Sequence, residues 1–196
     1  MQQGFTKNEI LMVGLILTII WGLALFNFRT SLVRARDVQR KNDLKHIATA
    51  LNMYLNDFAS YPPARDGKIF ACGEIEKPSP CEWGKDGIRD ITDSSYPPYI
   101  DRIPEDPLAP GKKYSYLYVT DGKNFQLFAH LENSKDDEYK EGVARRKLAC
   151  GSQICNFGVA SGDTPVEKEL EAIEKDVVLM RKTQASESTD SANSAK

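Results

Sequence analysis

Any chemistry in this chain has to come from a small set of side chains. There are four cysteines, Cys72, Cys81, Cys150 and Cys155, and two histidines, His46 and His130. One acid, Glu9, stands at the rim of an apolar stretch, and a run of acids, Asp136-Asp137-Glu138, lies in a charged segment. A thiolate nucleophile needs a base beside it, and these cysteines sit in paired-looking loops away from both histidines. His46 falls inside a long helical pattern with no second ligand at a metal spacing, and His130 falls in a strand pattern. Both are read as structural. There is no Gly-rich phosphate loop and no GxSxG elbow. The chain is therefore read as having no catalytic residues, no cofactor and no metal site.

Glu9 is the informative acid. After it come nineteen uncharged residues, Ile10 to Phe28, most of them strongly apolar. As a helix that run spans about 28 Å, close to the hydrocarbon thickness of a bilayer. An acid at such an edge is costly without a partner, so it reads either as functional or as the headgroup-level residue of an ordinary signal anchor. Gly14, Thr18 and Gly22 fall four residues apart on one face, a spacing that lets helices approach closely but is also common in membrane helices generally.

The helical pattern continues past Phe28, with no glycine or proline between Arg29 and Tyr61. Leu44, Ile47, Ala48, Leu51, Leu55 and Phe58 recur at three- and four-residue steps, one apolar stripe on a polar helix. This predicts a single helix from Phe5 to about Phe58, ended by Tyr61-Pro62-Pro63. Residues 61–113 hold nine of the ten prolines and read as a long ordered loop without strands. A loop of that length needs a fastener or a function. Cys72 and Cys81 enclose a closure of the right size for a local disulfide, and Cys150 and Cys155 another. Local pairing is one of three possible connectivities.

Tyr114–Val119 and Phe125–Leu131 are β-rich runs around an Asp121-Gly122 pair, a strong hairpin signal. Phe125, Leu127, Ala129 and Leu131 share the inner face. On the first strand either the tyrosines or Leu117 and Val119 face inward. Glu132–Lys147 reads as loop or a short helix, and Ile154–Val159 as a short strand. Pro165–Lys182 reads as an amphipathic helix with Val166, Leu170, Ile173, Val177 and Met180 in its stripe, and the last fourteen residues as disordered.

The N-terminal pattern carries a family likeness. Gly4, Phe5, Thr6 and Glu9 followed by an unbroken apolar helix resemble the class III leader of type IV pilins and type II secretion pseudopilins. The likeness continues through Asn56-Asp57-Phe58-Ala59-Ser60-Tyr61-Pro62-Pro63, similar to the family's helix exit. Ile103-Pro104-Glu105-Asp106-Pro107 is similar to the segment that leads into the sheet of the major pseudopilin. It weakens beyond about Leu131. Lys7-Asn8 replaces the usual apolar pair, Met1-Gln2-Gln3 lacks a basic residue, and the late proline of the apolar segment is absent.

The resemblance implies an α+β, pilin-like fold with a long N-terminal helix on a small antiparallel sheet. It implies cleavage between Gly4 and Phe5 by a prepilin peptidase, N-methylation of Phe5, and an assembly role for Glu9. The implied partners are further copies in a filament, the peptidase, a pilus or secretion assembly platform, and membrane lipid. Some type II pseudopilins bind calcium near the region of Asp136-Asp137-Glu138, but the spacing here fits no calcium loop and reads as a solvated charged turn. The segments expected are a leader 1–4, a transmembrane half-helix 5–28, an amphipathic half-helix 29–58, a head 59–163, a helix 164–182 and a tail 183–196.

Orientation divides the signals. The basic residues Arg29, Arg34, Arg36, Arg40, Lys41 and Lys45 follow the apolar run, which by the positive-inside rule would hold the head in the cytoplasm. Four cysteines in a membrane-anchored chain, and the resemblance, place it outside. Large domains translocate regardless of charge bias, so outside is the reading. The product is a single-pass protein of the cytoplasmic membrane, then a periplasmic or extracellular filament. The basic run is assigned to subunit contacts or outer headgroups. Net charge is −2, which favours no nucleic acid partner. The competing reading is an uncleaved, single-pass membrane-anchored binding or sensor protein, which does not need the Gly4–Glu9 signature.

Overall fold

A computed structural model describes residues 6–74, 77–109 and 113–170, the side chains of 24, 26 and 27 excepted. The long helix α1 runs over Lys7–Phe58 as one uninterrupted element. It ends where Ala59 takes a left-handed conformation (φ 54°) and its N–H closes on the Leu55 carbonyl at 2.8 Å. The two prolines beyond forbid resumption.

The region 61–113 holds strands, contrary to expectation. β1 (Ala64–Arg65) pairs with β2 (Lys68–Ile69), and β3 (Cys72–Glu74) with β4 (Lys77–Ser79), both antiparallel. The first pair turns through Asp66 and Gly67, both at positive φ (53° and 71°), the two-residue hairpin geometry that Asp-Gly favours. That signal was present in the sequence, hidden by the proline density around it.

The main sheet is three-stranded, in the order β5 (Leu117–Thr120), β6 (Phe125–Ala129), β9 (Phe157–Ala160), all antiparallel. Asp121 caps the β5–β6 turn by accepting from the N–H groups of Lys123 (2.8 Å) and Asn124 (2.6 Å). Between β6 and β9 come a short helix α2 (Glu141–Arg145) and the hairpin of β7 (Ala149–Cys150) and β8 (Gln153–Ile154).

Both faces of this sheet are covered. Leu44, Ile47, Leu51 and Tyr54 of α1 pack with Tyr116, Tyr118, Phe125, Leu127 and Phe157. On the other face Phe128, Val143, Cys150, Cys155 and Val166 form a second cluster, with Leu117 and Val119 against it. The tyrosines of the first strand thus face the helix, and Leu117 and Val119 face the second cluster. The two-sided burial explains why β6 is buried at every position. The helix expected from Pro165 does not begin there: residues 165–170 hold a turn at 166–167 and a bend at 168, with Val166 and Leu170 buried. The rest of that expected helix, the expected tail, and Met1 to Phe5 lie outside the described residues.

Candidate functional site

The helix opens on a capping box. Thr6 is extended (φ −73°, ψ 153°), and its hydroxyl accepts from the Glu9 N–H at 3.4 Å. Glu9 returns the contact: its Oε2 accepts from the Thr6 N–H at 2.7 Å and from the Thr6 hydroxyl at 2.9 Å. Two donors that a helix start leaves without partners are satisfied this way. The carboxylate also lies where the helix dipole favours negative charge. Its other oxygen, Oε1, takes no bond among the described residues. Gly4 and Phe5, the expected cleavage and methylation residues, fall outside them.

From Ile10 to Phe28 the helix packs against nothing else among the described residues. Its described apolar side chains between Ile10 and Phe28 are exposed, Leu11 at 72% and Trp21 at 67%. Among the described residues this is the one helix long and apolar enough to cross a membrane. Each exposed Leu or Ile forgoes roughly 1.5–3 kcal/mol of burial, so in water the segment would be strongly unfavourable. A Cβ added at Gly14 or Gly22 would meet nothing within 4 Å, so no packing among the described residues requires those glycines. The Thr18 hydroxyl is satisfied by the Gly14 carbonyl at 2.8 Å.

The lower half of the helix is fastened to the head by buried charge. Arg40 is fully buried and donates to Asp106 (2.7 and 3.1 Å), to Asp37 (2.8 Å) and to Glu132 (2.8 Å). Arg36 grips Glu132 with two bonds of 2.7 Å. Asp37 accepts from the backbone N–H groups of Glu132 and Asn133, each at 2.9 Å. Burial by itself would lower the Arg40 pKa, but the Asp106, Glu132 and Asp37 carboxylates outweigh it and raise it. The Arg36 guanidinium holds the Glu132 carboxyl below its ordinary range, with Arg40 adding to the effect.

Next along the helix, Lys41 donates to Asp136 (2.5 Å) and pairs with Glu138 (2.7 Å). Lys41 thus pairs with two of the three acids of the run, while Asp137 and Glu138 stay exposed in the turn, as expected. These contacts also correct the reading of the basic run: Arg36, Arg40 and Lys41 are spent on the head's own acids, while Arg29, Arg34 and Lys45 stay exposed.

The cysteines form two bridges. Cys72–Cys81 (Cα–Cα 5.1 Å) closes the β3–β4 hairpin, and Cys150–Cys155 (Cα–Cα 5.2 Å) closes the β7–β8 hairpin inside the second core. Among the described residues no group of three or more His, Cys, Asp or Glu is placed to hold a metal. His130 donates from Nδ1 to the Ile154 carbonyl (2.6 Å), a strand-edge contact.

What emerges is an exposed apolar helix on a disulfide-stapled head. The type II secretion system core protein G of Pseudomonas aeruginosa is 32% identical over 136 residues, covering 69% of this chain and 87% of that one. The chain belongs to the type II secretion core protein G family. A core protein G from Vibrio cholerae is 28% identical over 127 residues, 65% of this chain and 78% of its own length. One from Pectobacterium carotovorum is 30% identical over 107 residues, 54% and 62% respectively. No protein-family model matches the chain, and no solved structure does.

In this core protein G family member, the sequence placed Arg40 in a basic run for subunit contacts or headgroups and gave no role to Asp37, Asp106 or Glu132. One signal was available. Positions 37 and 40 continue the three- and four-residue spacing of Leu44, Ile47 and Leu51, so a charged pair extends a buried stripe. Charged residues are almost never fully buried unless paired, so partners had to exist elsewhere in the chain.

Proposed function

We propose that this protein is a structural subunit of a type II secretion pseudopilus. It is made as a membrane-anchored precursor, cut after Gly4, methylated on Phe5, and assembled through its N-terminal helix. The observation that carries this reading is the exposed apolar helix that begins at the Thr6–Glu9 capping box, in a chain of the core protein G family. A half-helix, Ile10 to Phe28, with no apolar partner among the described residues is suited to lipid before assembly and to other copies of itself after. Cutting after Gly4 places a new α-amine next to Thr6, within a short reach of the carboxylate that the box already orients. In a staggered bundle the amine of one subunit meets Glu9 of a neighbour, and the pair offsets much of the cost of burying both charges. The head contributes surface, held to the helix by Arg40 and its carboxylates. The work is structural, not catalytic, and the partners are other copies, the peptidase, the assembly platform and the lipid of the cytoplasmic membrane. The head lies outside that membrane.

Mass spectrometry of the mature N-terminus tests this. A chain beginning at methylated Phe5 is expected, and a chain beginning at Met1 would instead support an uncleaved anchored binding or sensor protein. Gly4→Leu should leave uncut precursor in the membrane, because the subsite before the cut must accept a residue with almost no side chain. Cutting of Gly4→Leu at the wild-type rate would overturn the leader assignment.

A further inference from the structure

The apolar run stops at Phe28, and the next two turns of α1 carry Arg29, Val33 and Arg34. The loop that follows β6 lies against these turns. Together they enclose a recess of about 510 Å³ lined in part by Arg29, Val33, Arg34, Glu132, Asn133 and Lys135. The single acid among its lining residues, Glu132, is already gripped by Arg36 and Arg40. Arg29, Arg34 and Lys135 are exposed and form no ion pair among the described residues. Three cations therefore share a recess whose one carboxylate is neutralised from behind.

The position along the helix says what should enter it. Arg29 directly follows the span, and Arg34 lies about 9 Å further along the axis than Phe28 at 1.5 Å per residue. The headgroup layer on each side of a bilayer is about 5–8 Å deep. Arg29 is thus at the level of lipid phosphates, and Arg34, just past the layer, has a side chain long enough to reach back to it. Basic side chains at this level attract anionic lipid, each strengthening binding about fivefold.

We propose that this recess is a headgroup site for an anionic phospholipid. Arg29 and Arg34 hold the phosphodiester from the helix, and Lys135 reaches it from the head. The lipid would bridge the anchor and the 132–138 loop and set the tilt of the head over the membrane before assembly. This rests on the reading that Ile10–Phe28 spans the bilayer.

The test uses the full chain in detergent micelles, mixed with phosphatidylglycerol or with phosphatidylcholine and examined by native mass spectrometry. Wild type should retain phosphatidylglycerol in preference to phosphatidylcholine. Arg29→Gln/Arg34→Gln/Lys135→Gln should bind phosphatidylglycerol on the order of 100-fold more weakly, while Lys123→Gln, in the distant β5–β6 turn, should bind as wild type. Equal retention by wild type and the triple variant would overturn the proposal. Quenching of Trp21 fluorescence by lipids brominated on their acyl chains, in reconstituted vesicles, checks the premise separately. Absent quenching would overturn the spanning reading and the proposal with it, whereas quenching together with equal retention would overturn the proposal alone.

Discussion

Replacing Arg40 by Met removes the group that ties the helix to the head. The change keeps the apolar stem of the side chain but removes its guanidinium and with it the bonds to three carboxylates. Glu132 retains Arg36, and Asp37 retains two backbone donors. Asp106, buried at 3% exposure, retains only the Leu108 N–H at 2.8 Å among its described contacts. The loss is therefore dominated by one poorly compensated buried carboxylate. Removing one partner of such a pair costs about 3–5 kcal/mol. Domain stabilities are about 5–15 kcal/mol, so the head should still fold but melt on the order of 10–20 °C lower. The assay is thermal unfolding of the full chain in detergent, followed by near-ultraviolet circular dichroism of the head's aromatic residues. Asp106→Asn alone should be milder, because Arg40 keeps Asp37 and Glu132. The double variant Arg40→Met/Asp106→Asn should be more stable than the sum of the singles implies, since it leaves no unpaired charge at this contact. A shift for Arg40→Met below about 2 °C, or additivity of the two changes, would refute the reasoning.

Other outcomes follow from the same contacts. The folded pKa of Glu132 lies below its ordinary value of 4.5, so its contribution is complete above about pH 4.5 and is lost as the pH falls through the lower folded value. The melting temperature of wild type should therefore fall more steeply than that of Glu132→Gln below pH 4.5, and parallel curves would count against the pairing. Removing the bridge Cys150–Cys155 with serines should destabilise the head by roughly 2 kcal/mol, and removing Cys72–Cys81 by roughly 2.5 kcal/mol, on loop-closure arguments. Denaturant titration of each variant measures this, and native protein should show no titratable thiol. Glu9→Ala should be inserted and cut normally yet give a low yield of sheared filaments at equal membrane levels, with Glu9→Asp intermediate; wild-type assembly by Glu9→Ala would remove its assembly role.

Local periodicity decided much of this protein. The stripe Leu44, Ile47, Leu51 was readable because residues on one helix face are fixed by the 3.6-residue turn, whatever they pack on. The unbroken helix across Phe28 was readable because nothing between Arg29 and Tyr61 opposes it. The Asp121-Gly122 hairpin follows from backbone preferences of adjacent residues. The two disulfides join cysteines only nine and five positions apart, close enough for local spacing to suggest them. The fate of the charges was different. Arg40 meets Asp106 and Glu132 across separations of 66 and 92 residues, and Lys41 meets Asp136 across 95. No local rule chooses among the chain's 28 acids. The choice is made when α1 lies on the sheet and brings the loop after β6 and the 103–107 segment to the same helical turns. Only then are Asp37 and Arg40 dehydrated, and only dehydration makes their pairing obligatory. The two-sided burial of β6 was hidden for the same reason. Which face of a strand is covered depends on what else folds onto it, and the segment that covers Leu117 and Val119 arrives from beyond residue 140.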